Sequence, residues 1–268
     1  MDTNNGEHID MKLMICGKGG CGKSTIAVLM SRTFAGMGRR VLLVDADESN
    51  VGLHRLTGTA PAATLLETLG GRSALRPKSR DPFAAACHLF YDQPFALEDI
   101  PENCTPGVDG VRLLKIGKIQ HFGEGCACPM GGILRPLLAN LQAGTDDRIV
   151  VDTAAGVEHF GRGVDRHADT LVGIIDPTFE SFKMAKKLMA LAEGSGTPVT
   201  FILNKADERM RAALGSFIDP AVILGEIPMR DELFAAGLEG RPIRLEVPEV
   251  AQFCRRLEMS ALSPISSA

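Results

Sequence analysis

Nine residues, Gly17-Lys18-Gly19-Gly20-Cys21-Gly22-Lys23-Ser24-Thr25, constrain the fold of this chain more than any other stretch. They follow a short apolar run, Leu13 to Cys16, and precede a helical pattern. Spaced glycines let successive backbone N–H groups turn toward one anion, Lys23 supplies a point charge for β- and γ-phosphates, and the Ser24 hydroxyl can ligate Mg²⁺. The match to G-x-x-x-x-G-K-[ST] is complete. The same glycines also satisfy the dinucleotide fingerprint G-x-G-x-x-G, with Asp45 at roughly the distance of its ribose-binding acid. Lys23-Ser24 separates the two chemistries, because a dinucleotide pyrophosphate needs neither a lysine nor a metal-ligating hydroxyl there.

The flanking pattern predicts an α/β fold: one doubly wound, mostly parallel sheet flanked by helices. Residues 12–16 read as a first strand, and 23–38 as a helix with Ile26, Leu29, Met30, Phe34 and Met37 at helical spacing. Val41 to Asp45 is a continuous apolar run ending in an acid, the pattern of a parallel strand buried on both faces. Similar runs recur at 111–116, 148–152, 170–176, 199–204 and 221–226, with helical patterns over 131–143 and 182–192 and two terminal helices at 231–237 and 249–259. Residues 1–10 read as a polar extension, 11–259 as one domain, 70–110 as an irregular insertion with some helix, and 260–268 as a frayed tail.

A chain of 268 residues, 45% apolar and 23% charged with a net charge of −4, has the makeup of an ordinary globular protein and no nucleic-acid signature. No apolar run reaches the length of a membrane span and the first residues lack the pattern of a signal sequence, so a cytoplasmic location is expected. Seven scattered cysteines argue for reduced thiols rather than a disulfide framework.

Acids at the ends of neighbouring strands bear on hydrolysis. Asp152 closes Ile149-Val150-Val151-Asp152 and reads as the carboxylate that orients Mg²⁺, directly or through water. Asp45 and Asp47 follow the second strand; one positions the attacking water and the other supports the metal shell. Asn204-Lys205-Ala206-Asp207 satisfies the N-K-x-D pattern with which GTPases read guanine, which leaves the base open between ATP and GTP.

Cys126 and Cys128 lie in a glycine-rich loop, 123–130, ahead of an apolar helix. Two thiols are too few for a structural zinc site, so further ligands come from elsewhere in the chain or two subunits pool their pairs. Four thiolates suit zinc or an iron–sulfur cluster, and a tetragonal arrangement suits nickel or copper. Cys16, Cys21, Cys87, Cys104 and Cys254 read as small buried or bystander residues.

Lys18 is not required by an ordinary phosphate loop, and with it residues 17–25 resemble the deviant Walker A motif of the MinD/ParA and nitrogenase iron-protein group of ATPases. That resemblance implies a homodimer in which Lys18 reaches the partner's phosphates, with Lys18, Lys23 and Asp47 catalytic and Asp47 positioning the water. It implies Mg²⁺ at Ser24, Asp45 and Asp152, and a nucleotide held by Gly17 to Thr25 together with Asn204, Lys205, Ile227 and Pro228. It also favours ATP and ADP over guanine nucleotides. Residues 152–156 resemble the group's second switch. The C-x-C-P loop, 155–163 and 97–102 are further similar to the nickel-insertion accessory ATPases of carbon monoxide dehydrogenase. Membership there implies nickel or zinc bound between two C-x-C loops of an ATP-closed dimer, and apo carbon monoxide dehydrogenase as client, without nucleic acid or membrane. Glu48 departs from the proline often found at that position. The rival readings are an iron–sulfur scaffold or electron-transfer ATPase and a positioning ATPase of the MinD/ParA type.

Overall fold

Alternate residues of the apolar runs face opposite sides of a single sheet, which explains why those runs are apolar at consecutive positions rather than alternating. The computed structural model describes residues 11–50, 52–71, 93–117, 128–157, 163–215 and 217–262. Within them the chain forms β1 (Met11–Gly17), α1 (Lys23–Gly36), β2 (Arg40–Ala46), α2 (Leu53–Thr57), α3 (Leu65–Thr68), β3 (Gly107–Val108) and β4 (Val111–Lys115). It continues through α4 (Cys128–Asn140), β5 (Asp147–Thr153), β6 (Thr170–Ile175), α5 (Phe179–Ser195), β7 (Val199–Ala206), α6 (Glu208–Leu214), β8 (Ile223–Pro228), α7 (Asp231–Glu239) and α8 (Pro248–Leu262).

Among the described residues the strands make one eight-stranded sheet in the order β3-β4-β2-β5-β1-β6-β7-β8. Every pairing is parallel except that of the short edge strand β3 with β4. Leu13, Ile15, Val41, Leu43 and Val150 point to the face covered by α1 and α8, where Ile26, Met30, Phe34, Val250 and Phe253 are buried. Met14, Leu42, Val44, Ile149 and Val151 point to the other face, under Ile133, Leu137, Phe182 and Leu188 of α4 and α5. Each such side chain contributes roughly 1.5–3 kcal/mol when fully buried, so two covered faces hold this sheet together without an exposed apolar side. The expected doubly wound, mostly parallel sheet is what the chain forms.

Element ends differ from the expected ones for local reasons. The first helix stops at Gly36 and turns through Gly38 at φ 82°. Pro220–Val222 is a 3₁₀ turn capped by Asp219, whose Oδ1 accepts the Ala221 N–H at 2.9 Å, so the last strand starts at Ile223 rather than at 221. Helix α8 runs to Leu262, into the stretch expected to be a frayed tail. Neither α6 nor β3 was expected: one is too short for a helical period and the other too short for alternation. Residues 1–10, 72–92 and 118–127 lie outside the described residues, and with them most of the 70–110 insertion, Cys87 and Cys126. The described part of that insertion carries 3₁₀ turns at Leu97–Asp99 and Glu102–Cys104, and Phe95 is buried in the core cluster under α4 and α5. No helix among the described residues is long and apolar enough to cross a membrane.

Candidate functional site

Parallel strands place their C-terminal ends along one edge of the sheet, and ligands of open α/β sheets bind where the chain leaves a strand to opposite sides. Here β1 lies between β5 and β6, and the loop from β1 to α1 occupies that position. Gly17 takes φ 148°, and a Cβ on it would come within 2.7 Å of the Ile174 carbonyl and 2.9 Å of Cys21 Sγ. Gly22 is the N-cap of α1 at φ 102°, and a Cβ there would overlap the amide of Asn204. No side chain caps α1 and no acid sits in its first turn, so the leading N–H groups of a 14-residue helix remain available to an anion.

Lys23 is buried, with Nζ donating to the Lys18 carbonyl at 3.3 Å, so its charge lies inside the loop. Ser24 Oγ donates to Asp152 Oδ2 at 2.6 Å. Strand pairing sets Asp45 directly beside Asp152. Burial above all, with the neighbouring Asp45 and Asp47 carboxylates, pushes the Asp152 carboxyl up to about 7 against the opposing Ser24 hydrogen bond and the Lys23 charge. Asp152 Oδ1 is buried with no hydrogen-bond partner among the described residues. Asp47 is tied into its turn, its Oδ1 accepting the Ser49 N–H at 2.9 Å and the Ser49 hydroxyl at 2.6 Å. Lys23, Ser24, Asp45, Asp47 and Asp152, separated by up to 129 positions in sequence, thus converge on one spot.

Lys18 is partly exposed and leans on an acid. Its Nζ stands 3.6 Å from Asp176 Oδ2, just past β6. Burial alone would raise the Asp176 carboxyl, but the Ser181 hydroxyl at 2.5 Å and the Thr178 hydroxyl at 2.6 Å, with Lys18 and Lys205, hold it below the usual range. Asp176 was not singled out, although the signal was the one that found Asp152: an acid closing an apolar strand. Thr153 Oγ1 donates to the Ile15 carbonyl at 2.7 Å, and the Gly156 N–H to the Gly17 carbonyl at 3.2 Å, so the segment after β5 is stitched to the loop.

The Asn204-Lys205-Ala206-Asp207 stretch serves the loop itself. Asn204 Nδ2 donates to the Cys21 carbonyl at 2.8 Å, and Lys205, at φ 58°, donates from Nζ to the Gly20 carbonyl at 3.1 Å. Asp207 caps α6, its Oδ1 accepting the Met210 N–H at 2.7 Å, which accounts for an acid at that position without a guanine. Beside these residues lies a cleft of about 240 Å³ lined by Gly20, Thr25, Pro228, Met229, Leu233 and Phe234. Exposed Met229, Phe234 and Leu238 give it an apolar wall. Ile227, expected in the nucleotide site, is instead buried in the core, and its neighbour Pro228 reaches the cleft.

Residues 13–243 match the family model described as the CobQ/CobB/MinD/ParA nucleotide-binding domain. The chain belongs to this family. Its members' fold is the one described above, and the chain is an ATPase of the MinD/ParA kind. It is 40% identical to an uncharacterized ATP-binding protein of Methanocaldococcus jannaschii, over 90% of this chain and 96% of the relative. It is 31% identical to the carbon monoxide dehydrogenase accessory protein CooC of Rhodospirillum rubrum, over 86% of this chain and 88% of CooC. Among solved structures, the septum site-determining protein MinD of Pyrococcus horikoshii, complexed with Mg-ADP, superimposes with a TM-score of 0.68, covering 96% of this chain and all of that one at 19% identity.

The MinD/ParA assignment leaves the cysteines to be placed. Cys16, Cys21, Cys104 and Cys254 are buried. Burial pushes the Cys16 thiol up to about 12 and the Cys21 thiol up to about 11, so neither is a ready thiolate although Cys21 sits in the phosphate loop. Cys128 is the first residue of α4, while Cys126 lies outside the described residues. Among the described residues no group of three or more His, Cys, Asp or Glu is arranged to hold a metal ion.

Proposed function

We propose that this ATPase closes two copies of the chain around ATP and couples that closure to handling nickel or zinc at Cys126 and Cys128, in the maturation of carbon monoxide dehydrogenase. The nucleotide half of this reading rests on the Ser24–Asp152 pair. A buried carboxylate with one unpartnered oxygen, flanked by Asp45 and Asp47, carries excess negative charge that a divalent cation offsets. Two adjoining carboxylates and a hydroxyl suit Mg²⁺, which is held by one or two carboxylates together with substrate phosphates rather than by an all-protein cage. In this reading Ser24, Asp45 and Asp152 would hold Mg²⁺, directly or through water, and it would supply charge neutralisation to the nucleotide's phosphates.

The remaining steps belong to the chain. The loop N–H groups and Lys23 bind the phosphates, and the base lies in the cleft beside Pro228 and Phe234. Asp47 orients the attacking water. Lys18 leaves Asp176 and reaches the partner subunit's nucleotide. A partly exposed ion pair at 3.6 Å is worth roughly 0–1 kcal/mol, so its release costs little beside the interaction that Lys18 forms with a triphosphate in the closed dimer. Lys18→Ala is accordingly expected to retain ADP binding and lose ATP-dependent association.

Support for the metal half comes from the Cys126-x-Cys128 pair and from the likeness to CooC over most of both chains. Cys128 opens a 13-residue helix, the end of a helix at which thiolates are favoured. Two such pairs brought to a two-fold axis make a four-thiolate site for the cargo ion. Anaerobic titration of nickel and of zinc, with and without ATP, tests this. Wild type is expected to bind about one ion per two chains, more tightly with ATP, and a Cys126→Ala/Cys128→Ala variant to lose that site. Equal stoichiometry in the two proteins would contradict the shared site, and visible absorbance after anaerobic purification would replace it with an iron–sulfur cluster.

A further inference from the structure

The turn that carries Asp47 is fastened to the phosphate loop by the side chain of Asn50. Its Nδ2 donates to Ser24 Oγ at 3.1 Å, across 26 positions of sequence, while its Oδ1 accepts the Gly52 N–H at 2.9 Å. Its own N–H closes the turn on the Asp47 carbonyl at 3.2 Å. An Asx turn accounts for the Gly52 bond alone; the bond to Ser24 is a separate, long-range contact made by the other end of the amide. We infer that Asn50 is a positioning residue for ATP hydrolysis, which holds the Asp47 turn in register with the Ser24 hydroxyl and so fixes where the water-orienting carboxylate stands. The inference rests on the assignment of Asp47 proposed above.

The hydrogen-bonding capacity of Ser24 agrees with this role. A hydroxyl has one donor and two acceptor lone pairs. Its O–H is committed to Asp152 and one lone pair to Asn50, which leaves the second lone pair for a metal ion. Asn50 and Mg²⁺ therefore do not compete. Beyond Gly52 the chain enters α2, which is anchored by the Ile243 N–H donating to the Leu56 carbonyl at 2.9 Å and by Pro242 packed on Gly58. The turn is thus held between two fixed points, α2 on one side and Ser24 on the other, and only the second depends on Asn50 Nδ2.

The test compares steady-state turnover, KM for ATP and calorimetric ADP affinity in wild type, Asn50→Asp, Asn50→Ala and Asp47→Ala. Asn50→Asp keeps the acceptor for Gly52 and removes the donor to Ser24, whereas Asn50→Ala removes both. Both are expected to lower kcat about 10- to 100-fold, the scale of an ångström-sized misplacement, while KM and ADP affinity stay within about threefold. A kcat within about twofold of wild type in Asn50→Ala, or a joint fall in kcat, nucleotide affinity and melting temperature in both variants, would overturn the role. Asp47→Ala separates the failures. If it turns over normally, the Asp47 assignment is wrong; if it is inactive while the Asn50 variants are not, only the Asn50 link is wrong.

Discussion

Asp152→Asn is expected to stabilise the nucleotide-free protein and to abolish most of its turnover. The Asp152 carboxyl is raised from 3.8 to about 7, by burial first and by Asp45 and Asp47 after the opposing Ser24 bond. A folded-state value above the unfolded one means that the folded protein binds the extra proton. The stabilisation from that proton is complete below about pH 4 and is lost as pH rises toward 7. At pH 8 the ionised group then costs on the order of 4 kcal/mol. Asparagine carries no charge, and its carbonyl can still accept the Ser24 hydroxyl. Without Mg²⁺, the melting temperature of the variant should match wild type near pH 4 and exceed it by about 5 °C or more at pH 8, reduced by the burial of the amide. Turnover should fall by about 10²- to 10³-fold, since Mg²⁺ is worth several kcal/mol to charge developing in phosphoryl transfer. A variant no more stable than wild type at pH 8 would show that Asp152 is not the strained acid described here.

The second large effect is expected from Gly22→Ala. The new Cβ would meet the Asn204 amide, and the residue would have to hold φ 102°. Strain of about 1–3 kcal/mol falls on the loop in its anion-binding shape. Displacing Asn204 from the Cys21 carbonyl adds about 1 kcal/mol. Together these predict ADP affinity weakened about 30- to 1,000-fold by calorimetry. Gly20→Ala is the internal control: it has φ 78° but nothing within 4 Å of the methyl group that alanine would add, so its loss should be about tenfold or less. Equal losses in the two variants would mean that backbone conformation alone, and not the Asn204 buttress, governs the loop.

Much of the site was legible because its signals are local. Glycine spacing, Lys23-Ser24 and acids closing apolar runs are one-dimensional features, and they located the loop, Asp45 and Asp152 before any contact was known. What stayed hidden depends on strand order. β5 lies between β1 and β2, which sets Asp152 against Ser24 and beside Asp45, and β6 on the other side of β1 brings Asp176 to Lys18. A chain read from end to end does not reveal which strands adjoin. Asn50 was missed for the same reason, since nothing in Asp47-Glu48-Ser49-Asn50 indicates a contact with residue 24. Asn204 was found but read as a base-contacting residue, whereas its amide is bonded to the loop. Short elements such as α2, α6 and β3 carry too few residues to show a period.

The central claim is that ATP joins two copies of this chain through Lys18. Sedimentation velocity of Asp47→Ala, expected to bind ATP without consuming it, measures that directly beside the same protein carrying Lys18→Ala. The account predicts a monomer with ADP and a dimer with ATP in the first, and a monomer with either nucleotide in the second. ATP-dependent dimerisation that survives loss of Lys18, or an Asp47→Ala protein that stays monomeric at saturating ATP, would contradict it.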